Sequence, residues 1–356
     1  MKIGIDIRST LKKQTGIGKY TFNLIKALAG ADASNGYYLY SRKKFLDFKR
    51  CLPSLPGANF SHKVDYFKKG PGRVLPDLDV LHTSSYDLDK PKGARFIVTI
   101  HDVIIKAYPY GHSENTIKEI DKNLDRVLDE ADILVADSHN TKSDLMGFYG
   151  VDEKRITVIY PGVNTMFEAK PRTQEAVPYI LFVGTLEPRK NVDGLIKAFD
   201  WLKKQGQIKH KLYIVGMKGW MFEKIFKAYE SSEFKKDIIF KGYVKDDEMA
   251  GLYRNASVFV YPSFYEGFGF PIVEAFSYGV PVVTSGTSSC GEIAGDSALL
   301  IEPTDHKSIG EAILELINNE RLRTEFIEKG LARAKGFSWE RTAREFVKVF
   351  EQVRCF

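Results

Sequence analysis

Short apolar stretches alternate with amphipathic helical patterns along the whole chain, and nothing else narrows its fold as much. In the first half the apolar stretches are Lys2–Ile7, Tyr37–Tyr40, Val80–His82, Phe96–Ile100, Ile133–Ala136 and Thr157–Ile159. In the second half they are Tyr179–Val183, Leu212–Val215, Ile238–Phe240, Val258–Tyr261, Val282–Thr284 and Ala298–Ile301. Helical patterns such as Tyr20–Ala29, Ile117–Ala131 and Val192–Lys203 fall between them. Strands alternating with helices predict parallel sheets covered by helices on both faces. Two such series in 356 residues predict an α/β protein of two doubly wound domains, since one core seldom grows that large.

The segment Pro161–Pro178 carries Pro161, Gly162, Pro171 and Pro178 without sustained periodicity, which suits an extended join. It divides the chain into a first domain over 1–165 and a second over 166–337. A last helix follows over 338–356, with Ser338 as N-cap and Trp339, Phe346, Val349 and Phe350 on one apolar face.

The net charge of +6 is mild for this length. It is compatible with an anionic ligand or membrane surface and demands neither. Three scattered cysteines, Cys51, Cys290 and Cys355, fit a reduced compartment without a zinc site or disulfide framework. No apolar run approaches the roughly 20 residues of a membrane helix, and the first ten residues do not resemble a signal peptide. The expected location is the cytoplasm, with any membrane contact peripheral. Charge is spread out and no nucleic-acid module is present, so a nucleic-acid partner is not expected.

In open parallel sheets ligands bind beyond the carboxyl ends of the strands, so residues following strands are the candidates. With two facing domains, those ends can share one cleft. After Tyr179–Val183 the chain reads GTLEPRKN. Gly184 turns, Asn191 is placed to cap the next helix, and Arg189 and Lys190 put two cations beside a helix N-terminus. That is a good anion site, although a solvated basic turn is the plainer alternative.

After Val258–Tyr261 comes PSFYEGFGFPIVEAFSYG. Pro271 is expected as the first helical residue, Gly279 as the helix stop and Glu274 on the first turn. Gly267 and Gly269 would let loop amides approach a diphosphate closely. Glu266 and Glu274 would then hold two polyols on either side of it. The plainer alternative leaves Glu274 favouring the helix dipole and Glu266 solvated.

Three weaker features follow other strands. Gly16 and Gly18 precede a helix in a shortened glycine-rich turn that lacks the full phosphate-loop spacing. His101 ends a strand beside Asp102, which would tune its protonation, and is preferred to His82 for that reason. Asp77–Asp79 and Asp87–Asp89 match a metal–diphosphate pattern, but we favour a structural role for them. No carboxylate, histidine or cysteine cluster has metal-ligand spacing, and no GxSxG elbow is present.

Together these residues resemble the retaining glycosyltransferases of family 4, over nearly the whole chain. The carriers are Glu266-x7-Glu274 with GVPVV after it, GTLEPRKN, the Gly16–Gly18 turn and His101. The resemblance implies the GT-B fold, two Rossmann-like domains facing an inter-domain cleft, with the last helix crossing back to the first domain. It implies that Arg189 and Lys190 bind the donor diphosphate, Glu274 the ribose, and Glu266 with the amides of Gly267, Phe268 and Gly269 the transferred sugar. It further implies that His101 contacts the sugar, that Gly16 and Gly18 approach the diphosphate or the acceptor and Gly184 the donor, and that Gly216–Trp220 and Gly242, Tyr243 and Val244 read the base. No metal or other cofactor is implied; the nucleotide-diphosphate sugar is a co-substrate.

The motif details most resemble bacterial mannosyltransferases of surface-polysaccharide assembly, which points to GDP-mannose, with UDP-glucose and UDP-N-acetylglucosamine as alternatives. The acceptor would be a saccharide or lipid-linked saccharide meeting the first domain. The basic stretches Ser41–Arg50 and Lys68–Arg73 there suit an anionic membrane or diphosphate lipid, or simply a solvated face. A sugar-nucleotide epimerase or hydrolase on the same fold, and a silent nucleotide-sugar binder, remain the rivals. A glycosidase using Glu266 and Glu274 would leave Arg189 and Lys190 unexplained.

Overall fold

The computed structural model describes residues 1–11, 16–43, 52–111, 114–164 and 177–354. Most of the basic run Ser41–Arg50, the middle of the proline-dense join, Cys51 and Cys355 lie outside the described residues. The chain forms two compact units. One comprises Met1–Lys106, His112–Gly162 and Phe337–Phe356; the other comprises Ala107–Gly111 and Val163–Gly336.

The first unit holds a parallel sheet of β1 (Lys2–Asp6), β2 (Gly36–Arg42), β3 (Phe60–Asp65), β4 (Val80–Thr83), β5 (Arg95–Ile100), β6 (Ile133–Ala136) and β7 (Ile156–Val158). Its order is β3-β2-β1-β4-β5-β6-β7. The second holds β8 (Tyr179–Val183), β9 (Lys211–Val215), β10 (Ile238–Gly242), β11 (Val258–Tyr261), β12 (Val282–Ser285) and β13 (Leu299–Ile301), in the order β10-β9-β8-β11-β12-β13. Both are doubly wound. The strand order reverses between β1 and β4 in one sheet and between β8 and β11 in the other, the places where such sheets open a crevice.

The strands formed where apolar runs predicted them, because strands covered on both faces are apolar throughout. Every residue of β4, β6, β11 and β12 is buried. β3, reading FSHKVD, was not anticipated. It is the edge strand, and only Phe60 and Asp65 are buried in it, so it carries little apolar signal.

The final helix, Trp339–Arg354, packs on the first unit. The Ser338 hydroxyl accepts from the Arg341 amide at 3.2 Å, so the expected N-cap forms. Thr342 Oγ1 donates to the Tyr160 carbonyl at 2.8 Å. The Trp339 ring meets Tyr20 edge-on with centroids 5.5 Å apart, and Phe346 meets His82 at 4.9 Å. A side chain at Gly162 would lie 2.2 Å from the Trp339 nitrogen, so only glycine lets the helix start there. Phe346 is fully buried. Phe346→Ala should cost the first unit about 3–5 kcal/mol, read as an earlier urea transition. A loss below about 1 kcal/mol would mean that this face is not part of the core.

Candidate active site

In the second unit, the ends of β8, β9 and β10 are kept bare by glycine. Gly184 N donates to Val215 O at 2.9 Å, and Gly216 N donates to Gly242 O at 3.0 Å. Gly216 has φ +152, and a Cβ there would fall 1.8 Å from the Gly184 carbonyl oxygen. No other residue fits.

From Gly184 the chain passes through a single 3-10 turn, Pro188–Lys190, into helix Val192–Lys204. Asn191 takes the left-handed conformation at φ 55, which asparagine tolerates better than most residues. Its side chain does not cap the helix as expected. It donates instead to Pro303 O at 2.6 Å, and Gly194 leaves the space, since a Cβ there would lie 2.3 Å from Asn191 Oδ1.

The loop after β11 docks on this turn. Phe264 N donates to Arg189 O at 2.7 Å, and an Arg189 guanidinium nitrogen donates to Tyr265 O at 3.1 Å. The loop itself is pinned when Glu266 N donates to Ser288 Oγ at 3.1 Å and Ser289 Oγ donates to Glu266 O at 2.8 Å. Phe268 is buried with its ring 4.9 Å from that of Phe270. Gly269, at φ 102, leads into helix Phe270–Ser277, and Gly279, at φ 65, ends it as expected. Pro271 is the second helical residue rather than the first. Glu274 is the fifth, so it lies beyond the first turn, and its Oε2 accepts from Tyr253 OH at 2.8 Å.

These two segments bring together a buried charge cluster. Glu266, 6% exposed, accepts through Oε1 from Lys190 Nζ at 2.5 Å and from Tyr261 OH at 3.0 Å. Its Oε2 lies 2.6 Å from Arg189, and a second Arg189 nitrogen lies 2.6 Å from Glu187. Lys190 also donates to Tyr261 OH. Two cations thus face two carboxylates. Burial alone would raise the Glu266 carboxyl, but Arg189 and Lys190 hold it down at about 2. Burial lowers the Lys190 ammonium against the opposing pull of Glu266, and raises the Glu187 carboxyl despite Arg189. Two cations are thus held without full hydration at the reversal point of a parallel sheet, where such sheets bind ligands. Gly242 has φ 65, Val244 is buried and Tyr243 is 65% exposed at the end of β10.

The first unit places its candidates beyond β1, β4 and β5. Gly16 and Gly18 lie within the first turn of helix Gly16–Ala31 rather than ahead of it, with Gly16 exposed and Gly18 buried. His101 follows β5. Its partner is not Asp102, whose Oδ1 instead accepts from Ile104 N at 3.1 Å. His101 Nδ1 meets Asp137 Oδ2 at 2.6 Å, while the Tyr20 ring abuts the imidazole edge-on at 4.7 Å. Nε2 has no partner among the described residues. Burial would lower this histidine, but Asp137 and then Asp102 raise it above its ordinary value. His101 lines a cavity of about 380 Å³ with Ile17, Ser84, Tyr86, Asp102, Ile104 and Asn123.

His82 is a core residue. Its Nε2 meets Thr99 Oγ1 at 2.8 Å, and burial pulls it down to about 3. Three of the four aspartates of the two DxD matches have local partners: Asp79 accepts from Lys2 N at 2.6 Å, Asp87 pairs with Arg8 and Asp89 with Arg126. Among the described residues no group of three or more His, Cys, Asp or Glu side chains is arranged to hold a metal ion.

Sequence reasoning missed Glu187, Tyr261 and Asp137. Glu187 stood in the quoted GTLEPRKN. Asp137 had a signal as well: Ile100 pairs with Ala136, so the residues that follow β5 and β6 fall side by side.

A family model described as "Glycosyltransferase Family 4" matches residues 15–167, and one described as "Glycosyl transferases group 1" matches residues 164–333. O-antigen chain mannosyltransferase B of Escherichia coli is 30% identical over 375 aligned residues, spanning 95% of this chain and 96% of that protein. Sucrose-phosphate synthase from Thermosynechococcus elongatus superposes with a TM-score of 0.79 at 18% identity, over 99% of each chain. HepE of Anabaena, solved in complex with UDP and glucose, superposes with a TM-score of 0.72 at 15% identity, over 99% of this chain and 100% of that one. At these identities the two solved structures speak to fold alone.

Proposed function

Because the chain belongs to glycosyltransferase family 4 and is a hexosyltransferase, we propose that it transfers mannose from GDP-mannose, with retention, to a saccharide or lipid-linked saccharide. The observation that carries this is the Glu187–Arg189–Lys190–Tyr261–Glu266 cluster at the reversal point of the second sheet. The choice of mannose rests on the resemblance to O-antigen chain mannosyltransferase B.

Cleaving the sugar–phosphate bond leaves negative charge on the diphosphate. Preorganised cations stabilise such charge, commonly the largest catalytic contribution. Arg189 and Lys190 supply two positive charges, so the reaction is proposed to need no metal and no cofactor beyond the donor. Both cations are engaged by carboxylates here. Donor binding would turn Glu266 toward the sugar hydroxyls and leave them to the phosphates. Glu274 would accept from the ribose, while Gly184, Gly267, Phe268 and Gly269 offer backbone to the donor, and Gly242, Tyr243 and Val244 the base site. From the first unit, Gly16, Gly18 and His101 would approach donor or acceptor, with His101 donating through Nε2. Attack on the same face as departure, the leaving phosphate taking the acceptor proton, would need no protein nucleophile.

Among the described residues no helix is long and apolar enough to cross a membrane. We place the protein in the cytoplasm, with peripheral contact at the membrane where a lipid-linked acceptor would be met.

Thermal denaturation with a panel of nucleotides and nucleotide sugars, in EDTA, tests the donor. A ligand that binds only the folded state raises the melting temperature in proportion to RT ln(1 + [L]/Kd). GDP and GDP-mannose should raise it, and UDP and ADP compounds should not. A shift with UDP-glucose or UDP-N-acetylglucosamine alone would keep the site and overturn the sugar. Donor hydrolysis or epimerisation at full rate without an acceptor would overturn transfer.

A further inference from the structure

The first unit spends a buried carboxylate on presenting aromatic side chains to solvent. Asp65, 1% exposed at the end of edge strand β3, holds the loop that follows. Its Oδ1 accepts from Phe67 N at 3.2 Å and Lys69 N at 2.9 Å, and its Oδ2 from Gly70 N and Tyr40 OH, each at 2.9 Å. Between these bonds Lys68 is fixed in the left-handed conformation, φ 56, which a lysine does not adopt unforced. Buried Pro71 anchors the far side. The result is a preorganised tip on which Phe67 is 73% and Tyr66 43% exposed. Lys68, Lys69 and Arg73 are exposed around it, and Lys69 Nζ lies 5.6 Å from the Phe67 ring centroid. Within Tyr66–Arg73 there is no acidic residue.

We propose that Tyr66 and Phe67 insert into the interface of an anionic phospholipid bilayer, with Lys68, Lys69 and Arg73 against its headgroups. Aromatic side chains favour that interface, and each nearby cation adds attraction to an anionic leaflet. A protein partner fits less well. A stable protein interface covers about 800 Å² on each side, whereas this is one narrow tip ringed by like charge. The site also has a consequence for orientation. All strands of this sheet are parallel, so the tip after β3 and the His101 cavity after β5 open on one sheet edge. Four strand steps separate them, about 19 Å. A bilayer touching the tip would therefore lie beside the cavity mouth. This last step, and only this, rests on the proposed transfer to a lipid-linked acceptor.

Sedimentation with vesicles of phosphatidylglycerol in phosphatidylcholine, against phosphatidylcholine alone, tests the docking. Wild type should bind the anionic vesicles. The triple variant Lys68→Gln/Lys69→Gln/Arg73→Gln should bind on the order of a hundredfold more weakly, at about fivefold per charge. Phe67→Ser should weaken binding about tenfold. The charge-matched control Lys224→Gln/Lys227→Gln/Lys236→Gln, on exposed lysines of the second unit, should leave it unchanged. Tryptophan fluorescence of Phe67→Trp should be quenched by brominated acyl chains beyond the wild-type level. Equal losses in the triple variant and the control, or no added quenching, would overturn the proposal. So would self-association of the free protein that Phe67→Ser abolishes, which would assign the tip to a second copy of the chain. The nucleotide-dependent melting shift should survive in every variant; its absence from wild type would count against the transferase reading and leave the vesicle result standing.

Discussion

Lys190→Ala is expected to lower kcat/KM by about a thousandfold, roughly 4 kcal/mol of transition-state stabilisation, with little change in melting temperature. The two halves of this expectation have different causes. In the proposed transfer Lys190 carries one of the two charges facing the departing diphosphate, and that charge would matter more in the transition state than before it. Its contribution to the fold is different. Lys190 is 6% exposed, and burial holds its ammonium below the ordinary lysine range even with Glu266 at 2.5 Å. A lysine whose folded pKa is lowered destabilises the folded state when charged. Removing it also leaves Glu266 paired with Arg189 and Tyr261, so no lone buried charge is created. Lys190→Met should show the same kinetic loss without the cavity. Activity within about tenfold of wild type would sink the assigned role. A melting temperature lowered by tens of degrees would mean that the lysine holds the fold together and that the kinetic loss is secondary.

Much of this could be read from local sequence, and what could not was non-local. Parallel strands are covered on both faces, so runs such as Val258–Tyr261 were plain; β3 escaped because an edge strand need not be apolar. Arg189, Lys190 and Glu266 were legible as residues that follow strands, a position that matters in any doubly wound sheet. Their mutual pairing was not, because it depends on β8 and β11 being neighbours across 76 residues of chain. The expected Asn191 cap failed for the same reason, and the Asp102 expectation held only in part, since Asp102 raises His101 but less than Asp137 does. Asn191 sits where a cap belongs, yet its amide reaches Pro303, 112 residues away. Asp102 adjoins His101 in sequence, yet the bond goes to Asp137, brought alongside by the register of β5 and β6. In each case the hydrogen-bond partner comes from a distant segment, and for His101 that segment follows the neighbouring strand.

Asp137→Asn turns that last difference into a pH experiment. Asparagine can still accept from the imidazole, so the ring should keep its orientation while losing the charge beside it. In wild type, Asp137 raises His101 above its ordinary value against the effect of burial. A histidine raised in this way stabilises the fold below about pH 6.5 and loses that contribution as pH climbs through its folded value. Without the carboxylate, burial is opposed only by Asp102, and the histidine should titrate lower than in wild type. If transfer uses the imidazolium, donating from Nε2, its charged fraction at pH 8 would then be smaller than in wild type. Activity of the variant at that pH should fall by about tenfold or more, while activity near pH 5.5 stays within a few-fold of wild type. The alkaline limb of kcat/KM should move to lower pH with the acid limb unmoved. A uniform loss at every pH would make Asp137 a packing partner only. Superimposable profiles would mean that His101 works as the neutral imidazole, and its charge would have no part in the reaction.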